Sequence, residues 1–392
     1  MGGRRLVAVL GVSAVLLAGC EDGTAHDGDN PQPVSPTWQE LTLPAPPGPP
    51  GRLILRDMVA CAGRWYLVGG VADATRATRP AAWTSGDGTS WTSLPIAADS
   101  FYGKQNVLYS VGCRDGVAAV VGAKVGGAHG YPRVSTWRQR GDGTLVEVAA
   151  SFETYGGPKA VNVSRLAGGP AGWLIVGNRS SGAAAWVSPD AADFVLVEAA
   201  PELASDTRGV SWAFDAVAGP GGWLAVGGVL PRGRIDRDPA AWTSADGRSW
   251  RRTTLPGTSD YEELQRVVMA GDTAVAVGLR GRAFGTWRQA PGADWAAAGG
   301  FGALGAGGVP SVSSLVASGG WLLAAVSDGA RHSVWASSDL GGSWHEVVPA
   351  TQLPAGADRD VSLLAVGERW WLVADDGTRS GFWWAPAAPA PG

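Results

Sequence analysis

The side chains best able to do chemistry in this sequence are the tyrosines and arginines of its long connecting segments. Tyr102, Lys104, Tyr155, Arg208 and Trp212 belong to this set in the first part of the chain. Arg234, Tyr261, Arg282, Arg331 and Arg359 continue it in the second. Tyr, Trp and Arg beside a depression are the residue types that anchor binding interfaces, so the set predicts a ligand-binding face. It does not predict a reaction. His26, His129, His332 and His345 fall in separate segments without metal-ligand spacing, so neither a metal centre nor a histidine-activated nucleophile is expected, and no motif calls for a cofactor.

The elements that must carry these loops are short strands. Among 392 residues there are 59 Gly and 20 Trp, and only three of the 31 basic residues are lysine, which leaves no segment with the charge pairs of an exposed helix. The stretch Gly221 to Pro256 shows the unit: an apolar run opened by Trp223 and closed by Gly227-Gly228, a second run holding Trp242, an Asp246-Gly247 turn, and a third run from Trp250. Aligning the residue that closes each central run yields Gly69, Gly122, Gly177, Gly227, Gly278, Ala325 and Ala374, about fifty residues apart. A tryptophan marks the following strand in every unit: Trp83, Trp137, Trp186, Trp242, Trp287, Trp335 and Trp384.

Seven such units, each with a short apolar strand before the aromatic one, predict an all-β fold: a seven-bladed β-propeller of four-stranded antiparallel blades over residues 38–386. The last unit ends at residue 392 before a fourth strand can form, and residues 387–392 are left as a tail. Trp38 to Pro44, WQELTLP, matches the outer-strand pattern of Trp91 to Pro95 and has no partner strands of its own. It is therefore expected to complete the last blade and close the ring, leaving no open sheet edge inside it. Cys61 and Cys113 end equivalent first strands in neighbouring blades, so a disulfide between them is expected.

At the N-terminus, Arg4 and Arg5 precede an apolar stretch from Leu6 to Ala18, too short to span a bilayer, which needs about 20 residues. Leu17-Ala18-Gly19-Cys20 resembles the bacterial lipobox, which implies a signal peptide over 1–19 and a lipidated Cys20 on the outer face of the cytoplasmic membrane. Residues 20–37, rich in Asp, Gly, Asn and Pro, read as a disordered tether. Without Arg4 and Arg5 the chain has 29 basic against 35 acidic residues, an acidic balance that argues against nucleic-acid binding.

Ser337-Ser338-Asp339-Leu340-Gly341-Gly342-Ser343-Trp344 carries a further resemblance, and Ser85 to Trp91 and Ser244 to Trp250 are versions one residue shorter. These segments resemble the Asp-box, or BNR-repeat, propellers, which include sialidases and sortilin-type receptors. The resemblance implies that the box turns are structural and lie away from any active site. Sialidase chemistry would further imply three arginines around a carboxylate, a Tyr with a Glu, and an Asp acid. The Arg-Ile-Pro signature of that group is absent, its nearest counterpart being Arg52-Leu53-Ile54-Leu55, and Tyr261-Glu262 are adjacent in one segment.

The resulting expectation is a monomeric, membrane-anchored, non-catalytic propeller that binds a protein or a cell-envelope glycan through its loop face. A sialidase-like glycoside hydrolase and an assembly factor for a membrane complex are the alternatives. Lipidation is directly testable. Cys20→Ser is expected to leave the precursor unprocessed or to release the protein from membranes, and unchanged membrane fractionation of that variant would exclude the anchor.

Overall fold

A computed structural model describes residues 32–126 and 132–388. Its seven sheets follow one another around a ring, and in five of them the strands run outward in chain order, while blades 2 and 7 each carry an earlier strand at the outer edge. Blade 1, for example, is built from Arg52–Cys61, Arg64–Ala72, Thr78–Ser85 and Trp91–Ser93. Blade 7 holds Asp360–Val366, Arg369–Asp375 and Ser380–Pro386, and its outer strand is Gln39–Glu40, paired antiparallel through Gln39 with Trp384 and Glu40 with Trp383. The ring thus closes by joining the two ends of the chain. Because strands alternate in direction, the turns after first and third strands share one face. The loops between second and third strands, and between blades, share the other.

Apolar side chains fill the seams between blades, and each cluster draws on two neighbours. At the closing seam Leu55, Leu67, Trp83 and Trp91 of blade 1 pack with Leu364, Trp371 and Phe382 of blade 7, with Leu41 and Leu43 alongside. The third-strand tryptophans also hold the loops. Trp83 Nε1 donates to the Pro44 carbonyl at 2.9 Å, Trp186 to Thr154 at 2.5 Å and Trp242 to Glu202 at 2.9 Å, so each pins the segment entering its own blade. A buried indole needs such a partner, and here the partner is the loop face.

Two blades depart by one residue from the repeat alignment read in the sequence. In blade 6, Leu322 rather than Trp321 pairs with Ser337, so Trp321 turns to the opposite seam and meets Trp370 of blade 7 at 5.5 Å. In blade 7 the repeat position belongs to Trp383, opposite Leu372, and not to Trp384. Side chains alternate between faces with period two, so a single-residue slip exchanges the two seams. Two tryptophans at 383–384, and at 321–322 a tryptophan beside a leucine that takes its place, make that slip invisible in a pattern of tryptophans.

The N-terminal segment also differs from the expected tether. Cys20 and residues 1–31 lie outside the described residues, but 32–37 are ordered along the outer strand of blade 6. Val34 N donates to Glu346 O and Val348 N to Val34 O, each at 2.8 Å, and Trp38 Nε1 reaches Val348 O. The exposed edge of a three-residue outer strand, His345–Val347, supplies those partners. Ile96–Ala97 likewise pairs in parallel with the outer strand of blade 2. Cys61 and Cys113, in the first strands of blades 1 and 2, are joined by a disulfide with Cα atoms 5.5 Å apart.

Deletion of residues 38–44 should destabilise the whole ring, by about 3 kcal/mol or more for the lost tryptophan and leucine packing alone. Denaturant unfolding of the full chain and the deletion would show it, and an unchanged midpoint would mean that this strand does not close the last blade.

Candidate binding cleft and channel

The first strands of most blades carry one extra residue. The pairing shifts between Leu55 and Asp57, Leu108 and Ser110, and Ala213 and Asp215, leaving Arg56, Tyr109 and Phe214 unpaired at the bulges. A bulge re-aims its side chain, and in blades 1 and 2 the two residues so displaced line a cleft. This cleft, about 920 Å³, opens on the loop face across blades 7, 1, 2 and 3. Its walls come from the first strands of blades 1 to 3, the loop 73–78, Lys124, Val125, Pro132 and Val134, and the segment 358–360 that enters blade 7.

Arginine dominates its chemistry. Asp375, whose carboxylate is fully buried, accepts Arg52 Nη1 on Oδ1 at 2.8 Å and Arg56 Nη1 on Oδ2 at 2.6 Å. One carboxylate therefore faces two guanidiniums. Arg359, in the same cleft, donates only to the carbonyls of Ala355 and Asp376. Together Arg52, Arg56, Arg76, Lys124 and Arg359 set five cationic groups against the four carboxylates of Asp73, Asp358, Asp360 and the buried Asp375. Burial raises the Asp360 carboxyl above its ordinary range, opposed chiefly by Arg56. Arg76 and Asp358 both have positive φ, 66° and 60°. Backbone held in that region by non-glycine residues is characteristic of functional loops.

Below the cleft a polar network crosses the central channel. Arg165 Nη1 donates to Asp57 Oδ2 at 3.0 Å, and its Nη2 meets Ser313 O at 2.8 Å, where Arg266 Nε also donates at 3.1 Å. Burial, with the nearby positive charge of Arg165, brings the Arg266 guanidinium down to about 10. Burial likewise pushes the Asp215 carboxyl up, against the pull of Arg266 and Arg165. These groups satisfy one another.

Of the loop residues singled out from sequence, Arg359 and Tyr155 line the main cleft, while Tyr102 and Tyr155 line a second groove beside it. Tyr155 is nonetheless buried, its ring packed near Trp186 and its hydroxyl 3.3 Å from Thr136. Lys104 lies on a shallower depression formed with Pro46 and Pro47. Arg208 and Arg234 are engaged by neighbouring acids, Asp206 with Glu202 and Asp236 with Asp238. Arg331 is exposed near Asp328 and Glu346, and Arg282 is exposed at the turn after Thr273–Arg280.

Trp212 and Tyr261 belong to a separate cluster on blades 4 and 5. Arg237 stacks over Trp212 at 5.1 Å and donates to Glu263 Oε2 at 2.8 Å, the oxygen that also accepts Tyr261 Oη at 2.7 Å. The tyrosine's partner is thus Glu263, two residues on and in register for the same face, and not the adjacent Glu262, which pairs with Arg280. This cluster lies outside the cleft. Arg52, Arg56, Asp375 and Lys124 are not among the loop residues expected from sequence, because all four fall within strands. The available signal was charge inside apolar runs: RLILR and LVADD each place ionic residues where a seam should be purely apolar.

No protein-family profile matches the chain, and no curated protein sequence does. A protein from Lactobacillus plantarum, 13% identical over 81% of this chain and 94% of its own length, superposes with a TM-score of 0.50. Trypanosoma rangeli sialidase is 11% identical, with a TM-score of 0.43 over 86% of this chain. The match spans 55% of the sialidase's length. A Hadza microbial sialidase, 13% identical, gives a TM-score of 0.43 over 86% of this chain and 65% of its own. At such identities the similarity concerns fold alone.

Asp375→Asn should expose the dependence of the cleft on its buried carboxylate. Leaving Arg52 without its counter-charge and Arg56 with Asp360 alone is expected to cost roughly 3 kcal/mol of folding stability. Denaturant titration measures it, and a loss below about 1 kcal/mol would mean that neither arginine is held by this residue.

Proposed function

We propose that this protein is a surface-anchored, non-catalytic propeller that holds an anionic cell-envelope glycan in the cleft across blades 7, 1, 2 and 3. The observation that carries this reading is the Arg52–Asp375–Arg56 arrangement. Two guanidiniums sharing one buried carboxylate are pre-positioned, and with Arg76, Lys124 and Arg359 the cleft sets five cations against four carboxylates, on a protein whose formal net charge is −4. Guanidinium forks suit carboxylate, sulfate or phosphate groups, and their fixed geometry reduces the ordering cost on binding. The cleft volume is in the range of sites that enclose small ligands, about 300–1,000 Å³.

The anchor fits the same reading. Gln32 O lies 3.1 Å from His345 Nδ1, just past the turn 338–344 and so at the end of blade 6 opposite the loop face. A tether to a lipidated Cys20 would start from that end, away from the cleft.

Glycoside hydrolysis is a second reading, favoured by the raised Asp360 carboxyl, which could act as an acid, with Asp358 and Asp73 nearby. Hydrolysis needs two carboxyls about 5 to 9.5 Å apart across the scissile bond. Release of chromogenic aglycone from a panel of glycosides and glycuronides separates the readings. The binding reading expects none, together with retention of acidic polysaccharide on the immobilised full-length protein. Arg56→Gln should weaken that retention at least tenfold, about 1.5–3 kcal/mol for a charged hydrogen bond. Equal retention by wild type and Arg56→Gln would remove the cleft from consideration.

A further inference from the structure

Beside the main cleft a second groove of about 480 Å³ runs between the segments 99–102 and 148–156. The two share Pro132, Val134 and Tyr155, so they are neighbouring compartments separated by a low wall of those residues. Within the groove the Arg133 guanidinium is flanked by two rings, 5.6 Å from the centroid of Tyr102 and 5.1 Å from that of Phe152. Its Nε is buried with no acceptor, and it forms no ion pair among the described residues. Of the two acids that line the groove, Asp99 and Glu147, the second is already committed. It accepts Asp99 N, Ser100 N, Ser100 Oγ and Ser135 Oγ at 2.6 to 2.8 Å, fastening the 99–103 segment to the outer strand of blade 2. Gly103 is required there, since a Cβ would lie within 2.2 Å of the Glu147 carboxylate.

The rings themselves are turned outward. Phe152 is 59% exposed, Tyr102 40% and the adjoining Phe101 73%. Exposed aromatic faces are costly to leave in water and mark recognition sites when clustered with a charge. A peptide would bind most readily by adding a strand to a sheet edge, and the outer strand of blade 2 is already covered by Ile96–Ala97. A chain of flat rings carrying negative charge has no such requirement.

We propose that this groove is a second saccharide subsite, taking an acidic sugar unit of the same chain whose other unit occupies the main cleft, with ring faces against Phe152 and Tyr102 and its anionic group on Arg133. The inference rests on the glycan reading of the cleft and extends it from one unit to an oligomer long enough to cross the shared wall. Affinity should therefore rise with chain length.

The test is calorimetric titration of the full-length protein with oligogalacturonates and hyaluronan oligosaccharides of two to ten units, with neutral malto-oligosaccharides and poly-glutamate as controls. Affinity is expected to climb at least tenfold from the shortest acidic oligomers to those that reach both compartments. Phe152→Ala and Arg133→Gln should each abolish that gain while leaving the shortest oligomers unaffected, whereas Arg56→Gln should weaken all lengths. Phe152 is exposed, so its variant keeps the fold even if the Arg133 variant does not. Length-dependent binding untouched by Phe152→Ala overturns the subsite and leaves the cleft reading standing. Absence of binding by every acidic oligomer overturns both, and Phe152-dependent binding of poly-glutamate alone would assign the groove to an acidic peptide instead.

Discussion

At four of its seven seams the ring is held together near its centre by a repeated hydrogen bond that passes from one blade to the next. Asp57 Oδ2 in blade 1 accepts Val111 N of blade 2, Ser110 Oγ accepts Leu166 N of blade 3, Asp215 Oδ2 accepts Val267 N of blade 5, and Ser314 Oγ accepts Leu363 N of blade 7. Each acceptor follows the bulge of its inner strand, where the ladder is interrupted. Buried N–H groups must find partners, and a side-chain oxygen from the neighbouring blade is the one within reach. Blade 3 has Arg165 at this position and cannot accept, so in blade 4 Asp215 serves its own neighbour Ala216 N through Oδ1. Carboxylates appear where two N–H groups need one side chain.

That substitution links the scaffold to its charge. Arg165, freed from the seam, crosses the channel to Asp57, while Arg266 in blade 5 reaches Ser313. The same bulges that interrupt the ladder turn Arg56 and Tyr109 into the cleft. A device for stitching blades thus also supplies the cleft with an arginine, and the buried Asp375 of the closing blade sets its direction. Closing the ring is therefore a condition for the site: Asp375 belongs to blade 7 and Arg52 and Arg56 to blade 1, brought together at the seam where the two ends of the chain meet.

The loop face depends on the repeat in a second way. The indoles of Trp83, Trp186 and Trp242 are at once seam filling and anchors for the segments that enter their blades, so loop positions follow from core positions. Pro44, Thr154 and Glu202 are unrelated in sequence but equivalent as acceptors.

By itself the sequence determined the class of fold, the number of blades and the manner of closure, because period-two strands, a fifty-residue repeat and an unpaired WQELTLP at the opposite end are local patterns. It also held the pairing of Cys61 with Cys113 as an expectation from equivalent turns. Register at 321–322 and 383–384 was decided by the tertiary structure alone, since Trp383 and Trp384 satisfy a tryptophan pattern equally, Trp321 has the patterned spacing although Leu322 takes the place, and only the neighbouring seam selects between them. The cleft was beyond the sequence for the same physical reason. Arg56 and Asp375 lie 319 residues apart and become one site through a 2.6 Å contact that no local periodicity encodes, whereas the loop arginines that drew notice, Arg208 and Arg234, are neutralised within a few residues of themselves.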